Sequence, residues 1–261
     1  MFPVSLVAWL NRLPIWRPRI RVWDFTLIPP TFDRRLYLWM HRAGRMGAEE
    51  RRFFTQAIRP GMQVADVGAN LGLYSLLFSR LVGPEGRVYA FEPDSLMAAA
   101  LRENLAANAV QHVEVFVCAV GASAGQAVLK RNAINSGDNR LGPLPATVNA
   151  GEATVPVKTL SEVLRGRPVD FVKMDVQGWE GEALSGIGGL LDANPRLQIY
   201  FEFWPRGLNG AGTSVARLAS ALRGLGLHIR RPHMVDDVDI EDLARTMKPG
   251  AYTNLLAARA S

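Results

Sequence analysis

The sequence predicts an α/β chain with a doubly wound, mainly parallel sheet and a terminal antiparallel hairpin. Three observations carry that expectation. Short apolar, β-branched stretches alternate along the chain with longer stretches of helical period. The stretch at 64–67 runs directly into Asp66-Val67-Gly68-Ala69-Asn70-Leu71-Gly72, and Leu73, Leu76, Leu77 and Leu81 follow at helical spacing. Strand, glycine-rich turn and helix in that order open a βαβ unit. Polar residues also collect where predicted strands end, at Asp66 to Asn70, Glu92, Asp175 and Glu202. Ligands of such sheets sit beyond the C-terminal strand ends.

The elements follow in order. Residues 1–47 are broken by Pro3, Pro14, Pro18, Pro29 and Pro30, with a helix expected over 36–42. A helix is predicted over 48–58, with Phe53, Phe54 and Ala57 on one face, and Pro60-Gly61 ends it. The second core strand is 87–92, after a turn at Pro84 and Gly86. Asp94 N-caps a helix in which Met97, Leu101 and Leu105 recur every fourth position, ending near Asn108. The third strand is 113–117, followed by a rim at 118–121 where an adenine ring would lie. An added strand at 127–130 precedes a polar stretch, 131–152, too long for a casual connection. That stretch either closes over substrate or is a disordered insertion. Residues 155–157 are extended and Thr159 caps a short helix to Leu164. The fourth core strand is 169–175, followed by a glycine-interrupted helix over 179–191; the fifth strand is 197–202. A helix over 214–223 carries Val215, Leu218 and Leu222 on one stripe. Residues 227–230 and 252–257 suit the closing antiparallel pair, and the acidic run 236–242 a solvated loop or helix face.

Composition narrows the class. The 261 residues are 48% hydrophobic, enough for one large core with an added segment. The single cysteine, Cys118, excludes an internal disulfide framework and points to a reducing, cytoplasmic setting, or the inner membrane surface. No Cys and His cluster has zinc spacing. No apolar run reaches the roughly 18 residues a membrane span needs. The apolar stretch at 2–10 lacks a basic start and meets Arg12 and Pro14, so no signal peptide is expected. The net charge of +6 resides in the N-terminal segment, which also carries Trp9, Trp16, Trp23 and Trp39. Residues 1–47 therefore form a basic, Trp-rich cap ahead of a ligand-binding domain, 48–261. The cap either contacts an anionic bilayer or a lipid-linked substrate, or packs on the domain with its basic face solvated.

The spacing in the turn argues about the ligand. A dinucleotide fingerprint is G-x-G-x-x-G, whose second glycine admits a pyrophosphate. Asn70 stands at that place and would crowd one. A ligand with a carboxylate and no phosphate fits better, and S-adenosylmethionine is such a ligand. Its amino-acid end suits the helix N-terminus. Its ribose hydroxyls suit Glu92, at the end of the second strand and twenty residues past Gly72. The expected cofactor set is Asp66, Gly68, Asn70, Gly72, Tyr74, Ser75, Glu92, Pro93 and Ala119. Asp175 and Glu202 are the catalytic candidates: Asp175 to accept or orient an acceptor proton, and both together to share a hard cation such as Mg²⁺. Glu180 is read as a helix anchor, and His228 and His233 as structural.

Three segments resemble the FkbM-type methyltransferase family: Asp66-Val67-Gly68-Ala69-Asn70-Leu71-Gly72-Leu73-Tyr74-Ser75, Val88-Tyr89-Ala90-Phe91-Glu92-Pro93, and Phe171-Val172-Lys173-Met174-Asp175-Val176-Gln177-Gly178-Trp179-Glu180. The first two are shared with many class I methyltransferases, and the third is more specific. The resemblance spans roughly 61–202. It implies a Rossmann-like class I methyltransferase fold, S-adenosylmethionine as donor, and O-methylation of a glycan sugar or a secondary metabolite. Family members usually carry Glu where this chain has Gln177. The expected partner is a small-molecule, glycan or lipid-linked acceptor, chosen with help from residues 1–47, and not a nucleic acid. Enzymes that methylate exocyclic amines resemble one another in an [Asp/Asn]-Pro-Pro-aromatic turn, and here the site reads Asp175-Val176-Gln177-Gly178. A dehydrogenase is disfavoured by Asn70. Two alternatives stand beside the main reading: an RNA or other nucleic-acid methyltransferase, suggested by the basic charge, and a non-catalytic cofactor-binding partner of a biosynthetic enzyme.

Overall fold

The computed structural model describes residues 19–30 and 47–259. The helix expected over 36–42 and the Trp16-Arg17-Pro18 part of the basic segment lie outside the described residues. The chain opens with a hairpin, β1 (Ile20–Val22) and β2 (Phe25–Leu27), and a helix, α1 (Ala48–Ala57). Then come β3 (Gln63–Val67), α2 (Leu73–Val82), β4 (Arg87–Phe91), α3 (Ser95–Ala107) and β5 (Val113–Phe116). An inserted sheet follows from β6 (Ala119–Val120), β7 (Gly125–Asn132) and β8 (Asn149–Lys158). The second half holds α4 (Leu160–Val163), β9 (Phe171–Met174), α5 (Glu180–Ser185), α6 (Gly188–Ala193) and β10 (Gln198–Phe203). It closes with α7 (Pro205–Gly210), α8 (Val215–Gly224), β11 (Leu227–Arg230), α9 (Ile240–Thr246) and β12 (Thr253–Arg259).

Among the described residues, seven strands form the main sheet in the order β5-β4-β3-β9-β10-β12-β11. Only β12 runs against its neighbours. The closing antiparallel pair is present, but β12 inserts between β10 and β11, and α9 lies in the connection. Strand order reverses between β3 and β9, the topological switch where doubly wound sheets bind ligands. The architecture is the Rossmann-like α/β fold that the sequence predicts.

Register decides the site. Val67 pairs with Phe91 and Met174, and Met174 pairs with Phe201. The four strand ends are therefore level. The next residues, Glu92, Gly68, Asp175 and Glu202, emerge side by side along one edge of the sheet. At about 4.8 Å per strand, Glu92 and Glu202 stand about 14 Å apart and Asp175 is one strand from Glu202.

Alternation along the strands splits the core. Ala65, Val67, Tyr89 and Phe91 face the side covered by α5, α6 and α8, whereas Val64, Val88 and Ala90 face α1, α2 and α3. The N-terminal hairpin joins the second side. Ile20, Val22, Phe25 and Leu27 are buried there, and Asn104 and Asn108 of α3 accept from the N–H groups of Ile28 and Thr26. This described part of the basic segment is thus packed on the domain. Helix starts at Asp94 and Thr159 follow the predicted caps, and Ser214 caps α8 in the same way; each accepts a backbone N–H of the following turn. The glycines in 179–191 split the expected helix into α5 and α6, with Gly186 between them.

The stretch 131–152 differs from expectation. Its ends belong to β7 and β8, which pair antiparallel, and only the middle is loop, with two short 3₁₀ turns. Neighbouring backbone pairs hold it: Lys130 and Arg140 exchange two hydrogen bonds, and Ala133 donates to Val148. Asn and Asp side chains that looked like loop filler supply Asx bonds here, Asn132 accepting from Ile134 and Asn135 from Gly137. No helix among the described residues is long and apolar enough to cross a membrane.

Candidate active site

The turn after β3 is built by two residues at positive φ. Gly68 has φ 79°, and a Cβ there would lie 1.9 Å from the Asp175 carbonyl oxygen, so only glycine fits. Asn70 has φ 50°, a conformation Asn tolerates better than most residues. Its side chain accepts from Leu71 N–H at 2.8 Å and donates to the Ser136 carbonyl at 3.1 Å. Asn70 therefore ties the turn to the 131–152 loop.

Glu92 is 5% exposed and held from both sides. Its Oε2 accepts from Asn70 N–H at 2.8 Å and its Oε1 from Asp94 N–H at 2.9 Å. Burial pushes its pKa from 4.5 up to about 7, against the two backbone donors. Each oxygen keeps lone-pair capacity beyond its backbone bond. Behind it, Asp94 forms a two-bond ion pair with Arg131 and accepts from Asn139. The strand-end carboxylate is thus fixed by the turn on one side and by the inserted sheet on the other.

These residues border one large cavity of about 780 Å³ at the carboxyl edge of the sheet. Of the expected cofactor residues, Gly68, Asn70, Tyr74, Glu92, Pro93 and Ala119 line it. Asp66, Gly72 and Ser75 are not among its lining residues. Asp66 is fully buried on the opposite pleat: its Oδ2 accepts from Ser75 Oγ at 2.6 Å, and its Oδ1 is ion-paired to Lys173 Nζ at 3.4 Å. Ser75 is consumed by the same bond. Gly72 faces α3, where a Cβ would lie 2.2 Å from Leu101 Cδ1, and it starts α2 at φ 90°. These three residues brace the turn from behind.

Lys173 lies between the two layers. It is buried, 3.4 Å from Asp66 and 3.9 Å from Asp175, and stands 5.1 Å from the Tyr74 ring centroid. Burial alone would lower its pKa, but Asp66 and then Asp175 outweigh that and hold it above the usual lysine value. Tyr74 itself packs edge-on to Trp23 and Phe54, and burial raises its pKa well above 10.

The far half of the cavity gathers the catalytic candidates. Asp175 and Glu202 both line it. Asp175 Oδ1 accepts from Gln177 Nε2 at 2.7 Å. An ionised glutamate at 177 could not donate that bond. Glu202 is pushed well above the usual carboxylate range by burial, then by Asp175 and Glu180. Glu180 is fully buried and anchors its turn as expected, accepting from Val176 N–H at 2.9 Å; burial pushes its pKa up to about 7. His228 pairs with Asp237 and His233 stacks edge-on to Phe53, both away from the cavity.

Several lining residues went unnoticed in the sequence. Arg140 projects from the loop, ion-paired with Asp138, its guanidinium 5.1 Å from the Trp204 ring centroid; burial lowers its pKa. Trp204 and the 64% exposed Tyr252 complete an aromatic rim. Trp204 was accessible in principle, two residues past the strand-end Glu202. Arg140 and Tyr252 carry no local signal, since only loop packing and the path of β12 bring them in.

A family model described as the methyltransferase FkbM domain matches residues 66–228, well over half of the chain. The 31-O-demethyl-FK506 methyltransferase FkbM of Streptomyces tacrolimicus is 33% identical over 209 residues, covering 66% of this chain and 75% of that protein. The methyltransferase sdnD of Sordaria araneosa is 32% identical over 162 residues, 48% of this chain; the match spans 60% of that relative's length. Among solved structures, a SAM-dependent methyltransferase from Aquifex aeolicus aligns with TM-score 0.47 at 19% identity, covering 86% of this chain and 96% of the other. A SAM-dependent O-methyltransferase from Thermotoga maritima aligns with TM-score 0.48 at 15% identity, covering 94% and 78%. By the family model and the match to FkbM, the chain belongs to the FkbM methyltransferase family.

Proposed function

We propose that the protein transfers a methyl group from S-adenosylmethionine to a hydroxyl of a sugar, glycan or secondary metabolite. The single observation that supports it best is Glu92: a buried carboxylate at the level strand edge, held by two backbone N–H groups and lining the cavity with acceptor capacity to spare. Glu92 would take the two ribose hydroxyls. The N-terminus of α2, which has no side-chain cap, would offer its N–H groups to the carboxylate end. Pro93, Cys118 and Ala119 would border the adenine. When bound, the donor supplies an electrophilic methyl on a sulfonium.

The chain's own residues do the rest. Asp175, next to Gly68 at the strand edge, accepts the hydroxyl proton; Lys173 Nζ lies 3.9 Å from it and Gln177 Nε2 donates to it. Glu202, one strand away and also lining the cavity, orients the acceptor. Trp204 and Tyr252 give a ring-shaped acceptor two aromatic surfaces, and Arg140 a positive edge. The inserted loop, tied to the turn through Asn70, lines the cavity from Asn135 to Leu141.

The test is calorimetric titration with S-adenosylmethionine and, separately, NAD, followed by mass spectrometry of methylated products in cells with and without the protein. Binding of the donor, with transfer of its methyl to an acceptor hydroxyl and release of S-adenosylhomocysteine and a proton, supports the assignment. Preference for NAD sinks it. Donor binding with no acceptor methylated in any extract favours the non-catalytic alternative.

A further inference from the structure

Glu180 carries an unmet need that anchoring α5 does not explain. It is fully buried, and while one carboxylate oxygen accepts from Val176 N–H, Oε2 has no hydrogen-bond partner. A buried, unpartnered carboxylate oxygen is a costly arrangement that calls for a compensating group. Its surroundings supply more negative charge instead. One carboxylate oxygen from each of Asp175, Glu180 and Glu202 lies within 4.8 Å of those of the other two. The neighbouring cations do not balance this. Lys173 is shared between Asp175 and Asp66, and Arg140 is already ion-paired with Asp138.

We infer that Asp175, Glu180 and Glu202 form a binding site for one hard divalent cation, Mg²⁺, Mn²⁺ or Ca²⁺. All three donors are carboxylate oxygens, the ligand type these ions select. At a metal–oxygen distance of about 2.0–2.6 Å, adjacent ligand oxygens stand about 3–4 Å apart and opposite ones about 4–5 Å. The three oxygens, all within 4.8 Å of one another, would draw together by about 1 Å to close on one ion. The three ligands come from the end of β9, the start of α5 and the end of β10, elements whose relative places the sheet register sets. Glu180 supplies the buried side, whereas Asp175 and Glu202 line the cavity. The remaining coordination positions open there, to water or to an acceptor hydroxyl. A cation so placed lowers the pKa of a bound hydroxyl. That consequence rests on the proposed methyl transfer; the cation site itself does not.

The test uses Mn²⁺ alone, added to the full chain after chelator treatment and desalting, with no donor or acceptor. Electron paramagnetic resonance reads free Mn²⁺. One ion bound per chain, displaced by Mg²⁺ or Ca²⁺, is the expected result. Glu180→Gln should weaken binding at least tenfold while keeping the fold, because the amide oxygen still accepts from Val176 N–H. Glu182→Gln, on the same helix and outside the cluster, should leave binding unchanged. Mn²⁺ that stays free at millimolar concentration overturns the inference, as does equal binding by the Glu180→Gln protein. Should that variant fail to fold, Glu202→Gln gives the same two outcomes. Donor titration in chelator is read separately, so a protein that binds Mn²⁺ but no donor refutes the methyl-transfer proposal and spares the cation site. Donor binding without Mn²⁺ binding does the reverse.

Discussion

Glu92 makes the proposed donor site testable by pH. In the free protein its pKa is about 7, because burial disfavours the charge more than Asn70 and Asp94 N–H favour it. The ribose hydroxyls need an ionised carboxylate that accepts from both. Donor binding then requires deprotonation below pH 7 and releases nothing above it. With one such group, affinity should rise about tenfold between pH 6 and pH 8 and flatten beyond. Glu92→Gln should remove this dependence and weaken binding by about 1–3 kcal/mol, as an acceptor is lost at a buried site. The amide also turns its NH₂ toward either Asn70 N–H or Asp94 N–H, leaving that backbone donor unpaired. Titration calorimetry at pH 6, 7 and 8, in two buffers of different ionisation enthalpy, reads affinity and proton release together. An affinity flat from pH 6 to 8, or a Glu92→Gln protein that binds as the parent does, would refute the assignment.

Other outcomes follow from the same contacts. Stability without donor should fall as pH rises from about 5 to 8, since the folded pKa values of Glu92 and Glu180 lie above their unfolded value of 4.5; thermal melts should show it, at most about 3 kcal/mol per group. Asp175→Asn should lower turnover by about 10²–10⁴ with donor affinity little changed; retained activity would remove Asp175 as proton acceptor. Lys173→Met strands the fully buried Asp66 and should cost about 3–5 kcal/mol. Adding Asp66→Asn should recover much of that loss, because the amide oxygen still accepts from Ser75 Oγ, and melts of the pair without recovery would contradict the bracing role. Gly68→Ala should destabilise by about 1–3 kcal/mol from backbone strain alone, and more from the clash with the Asp175 carbonyl.

The site was only half legible in the chain itself. Glu92 and Asp175 could be found because each ends a strand in a short apolar stretch, and strand ends are where such folds bind ligands. The turn at 68–72 could be found by its glycines, but its direction could not. Asp66 and Ser75 belong to the same motif, yet Asp66 is fully buried, bound to Ser75 Oγ at 2.6 Å and ion-paired with Lys173. That pairing joins β3 to β9, far apart in the chain, and no local pattern carries it. The 131–152 stretch read as loop because its Asn, Gly and Asp residues break strand patterns, and its pairing with β8 is a non-local choice.

What the amino-acid order determined by itself was local: the strand-turn-helix opening, the capped helix starts, and the identity of the carboxylates that close the strands. Each follows from periodicity and backbone preference over a few residues. Tertiary structure alone decided that β9 lies beside β3 and β10 beside β9, levelling Val67, Phe91, Met174 and Phe201. That register turns four distant residues into one row, and brings Glu180 within reach of Asp175 and Glu202. The reason is physical: hydrogen-bonded register is a relation between strands far apart in the chain, and no single segment carries it.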